Sequence, residues 1–385
     1  MSESYDCAVV GAGCWGAWTA LRLRERGRKV ALVEVWGAGN SRSSSGGASR
    51  IIRMGYGADE IYTRWSMRSL AGWKELFERV RHPALFVNTG VLWTAGEGHP
   101  HMAATRAAFE RLRVPFEALS CDEVRRRHPQ FRLGGAVTGV WEPDSGALLA
   151  NRAVRAVADE AARVGVDVVT ARALPPASAG RLEGIDTEDG RRITADRFVF
   201  ACGPWLPKLF PRAMGGCIHV TRQEVFYFAV PEGERRFDPP AMPVWIDFSD
   251  ERGGYTFPRL AGKGFKLALD RHGPAYDPDT GSREASAEGT AAARAFLRER
   301  FPELAEAQVT EAEVCQYENS DNGDFLIDRH PEMGNVWLAG GGSGHGFKHG
   351  PAVGEYIAGL VEGTVEAEAR FSLAAQRRGR ARTVF

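Results

Sequence analysis

Residues 5–35, which read YDCAVVGAGCWGAWTALRLRERGRKVALVEV, decide the fold of this chain. An apolar run at 7–10 leads into a glycine turn, and apolar or small residues then recur at helical spacing before a second apolar run at 29–35. The two runs predict β-strands, and the segment between them predicts an α-helix. The sequence therefore predicts that the chain begins with a βαβ unit.

Three glycines and one glutamate in this unit indicate a binding site. Gly11, Gly13 and Gly16 form the pattern GxGxxG between the first strand and the helix, and Glu34 ends the second strand 23 residues after Gly11. Glycines let the backbone approach a pyrophosphate, the helix N-terminus carries partial positive charge, and a carboxylate at this place accepts hydrogen bonds from a ribose diol. An ordinary glycine turn rarely combines these features, so we predict a dinucleotide site, with NAD and FAD both open.

The composition narrows the classes of partner. The chain has 385 residues and is 44% hydrophobic, which is enough for two domains. Its 49 basic and 49 acidic residues balance, so charge gives no reason to expect nucleic acid or an anionic membrane as partner. The basic segment at 377–385 is interpreted as a solvated tail. We therefore expect a small-molecule substrate.

Cysteine usage and the N-terminus indicate the compartment. The six cysteines lie far apart and form no CxxC pair, which argues against a metal site and against a disulfide scaffold. The N-terminus lacks the basic region of a signal peptide, and no apolar stretch approaches the length of a membrane span. We therefore expect a cytoplasmic protein without a membrane segment.

The rest of the chain does not continue as a plain series of βα units. A Ser/Gly-rich loop follows Glu34, and the stretch 85–95, LFVNTGVLWTA, then alternates like one strand. Aromatic strand-like segments between 220 and 270 predict a large sheet that walls a pocket. The stretch 335–363 reads as a buried strand, a glycine-rich loop and a helix. The nucleotide domain is therefore predicted to be discontinuous.

Three further motifs carry a family resemblance: SRIIR at 49–53, CQYENSDNGDFLID at 315–328 and GSGHGFKHGPAVGE at 342–355. With these motifs in this order, the chain resembles the FAD-dependent amine oxidases of the monomeric sarcosine oxidase group, within the D-amino acid oxidase superfamily. The likeness spans nearly the whole chain and includes GVL at 90–92 and KGFKLALD at 263–270. It implies an α/β plus α+β fold, with a discontinuous Rossmann-like FAD-binding domain and an inserted substrate domain built on a large, mainly antiparallel sheet.

The resemblance also implies domain boundaries and partners. The FAD-binding domain is expected to comprise 1–85, 145–215 and 318–385, and the substrate or catalytic domain is expected to comprise 86–144 and 216–317. The expected partners are an amino acid substrate and O2, and the expected assembly is a monomer or a small homo-oligomer.

The resemblance gives the lone Cys315 a covalent role. In the family, a cysteine in the matching segment holds the 8α-methyl of the flavin through a thioether. This reaction needs a thiolate, and a nearby cation promotes its formation; Arg50, which matches an arginine at the flavin, is the candidate. Relatives often carry histidine where this chain has SSSGGAS at 43–49, so covalent and tightly held FAD both remain open. The alternative is a small buried cysteine without chemistry.

The glycine loop at 340–346 completes the expected cofactor site. It leads into a helix N-terminus, and its amides are expected to donate where the reduced flavin gains negative charge, around N1 and C2=O. The residues expected to bind the cofactor are Gly11, Gly13, Gly16, Glu34, Ser43, Ser44, Arg50, Cys315, Gly342, Gly344, Gly346 and Lys348.

The substrate half of the site follows from charge and from the resemblance. An amino acid carboxylate needs fixed cations, and Arg53 and Lys348 match the carboxylate clamp of the family. Tyr255 and Tyr317 match pocket tyrosines that contact the substrate. His345 is expected either to bind flavin or substrate, or to fix the glycine loop. Taken without the resemblance, the two cations would be read as surface residues and the two tyrosines as sheet aromatics.

Two residues of one strand bear on electron acceptor and substrate. Lys266 matches the family lysine assigned to the reduction of O2, and strand alternation predicts that it is buried, whereas Lys263 shows that a solvent-facing lysine is the alternative. Asp270 stands where sarcosine oxidases carry histidine, and a carboxylate there would attract a cationic amine or accept from hydroxyls. Sarcosine is therefore expected to be a poor substrate compared with a larger or more polar secondary amino acid. Trp245 either shapes the pocket or belongs to the core.

The reaction implied by the resemblance is the oxidation of a secondary amino acid, N-alkyl or cyclic. A hydride passes from the carbon next to the amine nitrogen to flavin N5, the imine is hydrolysed, and O2 reoxidises the flavin and yields H2O2. One alternative is a dehydrogenase that passes electrons to a quinone or a carrier protein. Others are a flavin-binding protein without amine chemistry and an NAD-dependent reductase.

Overall fold

The computed structural model describes residues 4–176, 180–249 and 252–377, so the basic segment, apart from its first residue, lies outside the described residues. The strands in these ranges are β1 (Tyr5–Val10), β2 (Val30–Glu34), β3 (Arg50–Ile52), β4 (Phe86–Val87), β5 (Val91–Gly96), β6 (Glu117–Leu119), β7 (Val137–Glu142), β8 (Gly146–Leu148), β9 (Asp167–Thr170), β10 (Gly184–Asp186), β11 (Arg192–Phe200), β12 (Ile218–Phe228), β13 (Val244–Asp247), β14 (Gly254–Phe257), β15 (Phe265–Leu269), β16 (Val309–Ser320), β17 (Leu326–Arg329) and β18 (Val336–Gly340). The α-helices in the same ranges are α1 (Cys14–Glu25), α2 (Glu60–Arg79), α3 (Pro100–Leu112), α4 (Cys121–Arg127), α5 (Ala150–Arg163), α6 (Leu206–Leu209), α7 (Pro211–Met214), α8 (Ala287–Arg300), α9 (Gly350–Glu362) and α10 (Leu373–Gln376).

The first sheet contains the predicted βαβ unit. Its strands follow the order β17-β18-β11-β1-β2-β9, with β10 paired to β11. The central strand β1 runs parallel to β2 and to β11, and α1 connects β1 to β2, which confirms the prediction. Strand β1 is apolar without alternation because it is buried in the centre of the sheet, as is typical of parallel strands.

The second sheet has eight strands in the order β16-β12-β15-β14-β13-β5-β7-β6. Adjacent strands are antiparallel except for β5 and β13, which confirms the large, mainly antiparallel sheet. Helix α8 covers one face of this sheet, and an aromatic core lies between them. Trp245 is fully buried in this core, with its ring 4.7 Å from that of Phe131, so it is a core residue and does not line the substrate cavity described below.

The prediction of one strand over 85–95 was wrong. Strand β4 belongs to a separate three-stranded sheet with β3 and β8, whereas β5 belongs to the second sheet. The chain turns between them at Gly90, which has φ +66°, and a Cβ there would lie 1.8 Å from the ring of Trp141. A side chain at this position would therefore clash, and the glycine permits the change of sheet.

The sheets support the expected domain division, which we retain as a proposal. The first sheet draws its strands from 5–34, 167–200 and 326–340, and the second draws its strands from 91–142 and 218–320. Strand β16 crosses the proposed boundary after residue 317. Among the described residues, no helix is both long and apolar enough to cross a lipid bilayer.

Candidate active site

The glycine turn brings α1 directly against the central strands. A Cβ on Gly11 would lie 2.5 Å from the carbonyl oxygen of Ala201 in the turn after β11, and a Cβ on Gly16 would lie 1.8 Å from the carbonyl oxygen of Gly11. Gly11 also has φ +98°, a conformation that favours glycine. The space above Gly13 is wider, since a Cβ there would meet the hydroxyl of Ser45 at 3.7 Å. The N-terminus of α1 is thus open to the cavity in front of it.

Glu34 fastens the turn to the end of β2. Its Oε2 accepts from the backbone N–H of Ala12 at 2.8 Å, and its Oε1 accepts from those of Val35 at 2.9 Å and Trp36 at 3.0 Å. The carboxylate therefore has a fixed orientation at the edge of the cavity, where the sequence predicts a contact with ribose.

A cavity lies at this edge of the first sheet, and we call it the dinucleotide cavity. Its lining includes Gly13 and Glu34, the ring pair of Trp36 and Trp205, which we call the Trp205 end, and Tyr317, which we call the Tyr317 end. All the residues predicted to bind the cofactor line this cavity except three, namely Gly16, Cys315 and Lys348. Gly16 allows close packing of α1 against the glycine turn, and Cys315 contacts Arg50, which does line the cavity.

A segment that follows β15 contributes Asp279 to the lining at the Trp205 end of this cavity. Residues 271–286, which we call the strap, connect β15 to α8. Lys208 Nζ contacts Asp277 Oδ2 at 2.8 Å and Asp279 Oδ2 at 2.5 Å, and Trp205 Nε1 donates to Asp279 Oδ1 at 2.8 Å. These bonds join the strap to the segment that follows β11 of the first sheet.

The predicted cation stands beside the predicted thiol at the Tyr317 end. Arg50 Nη2 lies 3.1 Å from the Sγ of Cys315, and the same guanidinium donates to the carbonyl oxygens of Ser44 and Ser49, each at 2.8 Å. The geometry therefore agrees with the role that the resemblance gives to both residues.

Two polar atoms in the dinucleotide cavity fit a bound polar cofactor. The hydroxyl of Ser44 and the Oε2 of Glu318 are buried and have no hydrogen-bond partner in the part of the chain that the structure describes. Buried polar atoms are normally satisfied, so a ligand with donors and acceptors is expected here. Ser43, also predicted, lines the cavity, and its backbone N–H donates to Asn40 Oδ1 at 3.1 Å.

The glycine loop lies at the junction of two cavities. Gly344 has φ +81°, and a Cβ there would lie 2.7 Å from the ring of Tyr317. The loop is tied down by the bond from Ser343 N–H to the carbonyl oxygen of Glu318 at 3.0 Å and by the bond from Gly346 N–H to that of Gly342 at 2.8 Å. Helix α9 begins four residues after Gly346, as the sequence predicts.

A second cavity, which we call the substrate cavity, contains every residue that the sequence assigned to the substrate. Four residues line both cavities, namely Arg50, Tyr317, Gly344 and Phe347. The substrate cavity is further lined by Arg53, Tyr255, Lys266, Asp270, His345 and Lys348. Residues that are more than 200 positions apart in sequence therefore meet at one site.

Arg53 and Lys348 form the cationic part of this cavity, and both are more than nine-tenths buried. The guanidinium of Arg53 lies between two aromatic rings, 4.3 Å from the centre of Tyr56 and 4.7 Å from that of Trp93, and donates to the carbonyl oxygen of Gly55. Lys348 Nζ donates to the hydroxyl of Tyr56 at 2.9 Å. Burial, with the nearby Arg53, lowers the pKa of Lys348 well below its ordinary value.

Lys266 is buried, as predicted, and is 2% exposed. Its Nζ donates to the carbonyl oxygen of Ser49 at 2.8 Å and lies 4.2 Å above the ring of Phe257. Burial and the neighbouring Arg50 lower the pKa of Lys266 to about 7. Alternation places Lys266 on the cavity face, while Leu267 packs into the core on the opposite face.

The two tyrosines and Asp270 face one another across the substrate cavity. Burial, together with the negative charge of Asp270, raises the pKa of Tyr255 to about 12, and burial and Tyr255 raise the pKa of Tyr317 well above its ordinary value. Both phenols are therefore neutral donors at physiological pH. Asp270 is exposed and lies at the rim.

His345 is held on both sides by the protein. Its Nε2 lies 2.9 Å from the carbonyl oxygen of Gly323, and its Nδ1 lies 3.2 Å from the hydroxyl of Tyr56. A carbonyl can only accept, so Nε2 carries the proton. This arrangement agrees with the expectation that His345 fixes the glycine loop.

Sequence reasoning missed Glu142, which supports Arg53. Its Oε1 accepts from Trp93 Nε1 at 2.7 Å and from the N–H of Gly55 at 3.1 Å, while its Oε2 accepts from the N–H of Met54 at 2.7 Å and from the hydroxyl of Ser145 at 2.5 Å. The side chain is 1% exposed. The available sequence signal was that Glu142, an acidic residue, ends an apolar strand. A carboxylate buried with such a strand needs several hydrogen-bond donors.

Comparisons with known proteins place these observations in a wider group. Residues 6–360 match the family DAO, FAD dependent oxidoreductase. The chain is 32% identical over 372 residues to a monomeric sarcosine oxidase of Bacillus sp. (strain B-0618), which covers 94% of this chain and 93% of that protein. It is 28% identical to the peroxisomal sarcosine oxidase of Homo sapiens over 92% of this chain and 91% of that protein. An L-proline dehydrogenase structure from P. horikoshii has a similar fold, with a TM-score of 0.85, 22% identity, and coverage of 99% of this chain and 100% of that one.

Proposed function

The chain belongs to the DAO family of FAD dependent oxidoreductases and acts on CH–NH groups, and from this premise we propose that it is an oxidase of a secondary, N-alkyl or cyclic, amino acid. The observation that carries the proposal is the junction of the two cavities. Four residues line both cavities, so a substrate in one would lie next to a flavin ring at the end of the other. The cations on the substrate side match an amino acid carboxylate.

Arg53 and Lys348 would bind the substrate carboxylate. The rings of Tyr56 and Trp93 hold the guanidinium of Arg53 in place, so that little side-chain entropy is lost when a carboxylate binds. Burial beside the cation Arg53 lowers the pKa of Lys348, and a bound substrate carboxylate would favour its protonation. Arg53 and Lys348 together would therefore carry more positive charge when the negatively charged substrate carboxylate is bound.

The residues around the clamp would fix the rest of the substrate. Bound FAD would supply the oxidant for hydride removal from the carbon next to the nitrogen, which would give an imine for hydrolysis, with O2 as the final electron acceptor and H2O2 as its product. Tyr255 and Tyr317 offer neutral hydroxyls, and Ile246 and Phe257 on the same wall exclude water. The exposed Asp270 offers a carboxylate at the rim to a cationic amine or to hydroxyls of the substrate.

Two further parts of the proposal concern the cofactor end. Lys266 would supply positive charge for the reduction of O2, because a buried cation stabilises superoxide. Cys315 would form a thioether to the 8α-methyl of the flavin, beside the guanidinium of Arg50. The S–H bond and one methyl C–H bond would be lost, and the two electrons would pass to the flavin and from it to O2. The other predicted cofactor residues would hold the dinucleotide along the first sheet.

The visible spectrum of the purified protein, followed by acid precipitation, tests the cofactor. We expect yellow protein whose colour stays with the pellet, and loss of that colour to the supernatant in Cys315→Ser. Cys202→Ser is the matched control because Cys202 lines the same cavity away from Arg50 and should keep the colour in the pellet. A colourless protein would overturn the proposal, and a yellow supernatant in the unmodified protein would overturn the thioether alone.

Peroxide release then tests the substrate. Sarcosine is compared with bulkier N-alkyl amino acids and with cyclic secondary amino acids. We expect at least one larger substrate to exceed sarcosine in kcat/KM, because Asp270 replaces the expected histidine. Faster turnover of sarcosine than of every larger compound would contradict this expectation.

A dehydrogenase is the second candidate, and it is favoured above about pH 7, where Lys266 loses the positive charge on which the oxidase proposal relies. With a pKa of about 7, this lysine is largely neutral at mildly alkaline pH and would then stabilise superoxide poorly. Reduced protein that reoxidises slowly in air but quickly with a dye would establish the dehydrogenase.

A further inference from the structure

Glu318 is a buried carboxyl group in the dinucleotide cavity to which neither the resemblance nor the proposed reaction assigns a role. It lies near the end of β16, between the turn after β11 and the glycine loop. A Cβ on Gly203 would lie 2.8 Å from its Oε2, and a Cβ on Gly342 would lie 3.1 Å from its Oε1. Glycine at both positions therefore leaves the space that this carboxyl group occupies.

The surroundings do not compensate a negative charge on Glu318. The backbone N–H of Gly342 serves one oxygen, while Oε2 has no hydrogen-bond partner among the described residues. The thiol of Cys202 is a titratable neighbour of Glu318, and its pKa is raised by burial, with the charges of Glu34 and Glu318 adding to the effect. The cations that line this cavity have other partners: Arg50 donates to Cys315 and to the carbonyl oxygens of Ser44 and Ser49. Arg172 pairs with Glu188, and Lys208 pairs with Asp277 and Asp279.

Burial raises the pKa of Glu318 to about 7, against the opposing effect of the Gly342 amide. A dinucleotide diphosphate would add negative charge and displace water from the same cavity. Both changes would disfavour the carboxylate further, so we expect the pKa of Glu318 in the complex to lie above its pKa in the free protein.

We propose that Glu318 binds a proton from solvent when FAD binds and is held in the complex as a neutral acid that donates a hydrogen bond to the cofactor. The inference rests on the FAD of the family and does not depend on the amine chemistry. Glu318 thereby serves as a cofactor-binding residue whose donor exists only in its protonated form.

The sign of the pH effect follows from linkage. Below about pH 7 both states carry the proton, so the affinity for FAD is independent of pH. Between the pKa of the free protein and that of the complex, binding takes up one proton, and the dissociation constant rises about tenfold per pH unit.

The test is a titration of FAD into the Cys315→Ser protein, which cannot form the thioether, between about pH 6 and pH 9. We expect the rise in dissociation constant above about pH 7, and we expect Glu318→Gln, which keeps a donor but cannot titrate, to abolish it. Glu311→Gln is the matched control, since it changes an exposed carboxylate on the same strand and should leave the slope unchanged. An equal slope in Glu318→Gln, or no slope in the parent, would overturn the proposal.

A second measurement uses the holoenzyme and does not need the variant to fold. Infrared spectra of protein labelled with 13C-glutamate should show the C=O stretch of a protonated carboxyl group above pH 7. This band should shift on reduction of the flavin, because the carboxyl group donates to the cofactor. Absence of a protonated glutamate band would contradict the proposal even if Glu318→Gln failed to bind FAD.

Discussion

Replacement of Glu142 should weaken substrate binding, although Glu142 does not line the substrate cavity. Glu142→Ala would leave four buried donors unpaired at about 1–3 kcal/mol each, a sum comparable with a typical free energy of unfolding of about 5–15 kcal/mol, so we expect it not to fold. Glu142→Gln is the informative change because it keeps the shape of the side chain.

The magnitude for Glu142→Gln follows from the donor geometry. If the amide oxygen faces Gly55 and Trp93, the amide nitrogen faces the hydroxyl of Ser145, which can turn to accept, and the N–H of Met54, which loses its acceptor. One lost buried bond costs about 1–3 kcal/mol. Met54 follows Arg53 directly, so we expect the lost hydrogen bond to loosen the segment that holds Arg53. Each binding event must then restore this segment, and that free-energy cost should raise KM by about 5- to 150-fold.

Steady-state peroxide release over a range of substrate concentrations gives KM and kcat separately. We expect KM to rise and kcat at saturation to change little, since Arg53 binds the non-reacting end of the substrate. Ser145→Ala is the matched control, because it removes one donor to Glu142 that does not adjoin Arg53, and it should leave KM unchanged. A lowered melting temperature in Glu142→Gln with an unchanged KM would show that the carboxylate serves stability alone and would refute the reasoning.

Three further predictions concern the cofactor, the oxidant and the substrate. Lys266 is cationic below its pKa of about 7, so reoxidation of the reduced flavin by O2 should slow as pH rises through 7. In Lys266→Met, reoxidation should be about 100-fold slower and independent of pH, and stopped-flow absorbance measures both. Unchanged reoxidation would remove the lysine from the oxidase proposal. Arg50→Met should leave the flavin extractable by acid while Cys315 is intact, and a flavin that stays with the pellet would show that the cation is dispensable. Asp270→His should shift the ratio of kcat/KM for sarcosine over a larger substrate by about tenfold towards sarcosine, and an unchanged ratio would mean that the rim does not select the substrate.

The parts of the fold that depend on local sequence could be predicted. The βαβ unit follows from apolar runs and a glycine turn within 31 residues, and the helix after the glycine loop follows from its own spacing. The stretch 85–95 failed because alternation reports exposed and buried faces but not the sheet to which a strand belongs. The clash at Gly90 that separates the two strands comes from Trp141, which is 51 positions away.

The candidate site was predictable to the extent that motifs mark it. Arg50, Cys315 and the glycine loop stand in motifs, and the structure brings them together. Tyr56 and Glu142 carry no such mark, because their partners come from distant segments of the chain. The cytoplasmic location and the assembly state remain predictions.

The composition of the dinucleotide cavity has a consequence for biosynthesis. Its lining starts at Val10 and ends at Phe347, and the strap precedes the glycine loop in sequence. The glycine turn is therefore translated more than 300 residues before the glycine loop that lines the same cavity. We therefore expect cofactor capture to follow synthesis of nearly all of the described residues, so that the early chain must remain soluble without help from FAD.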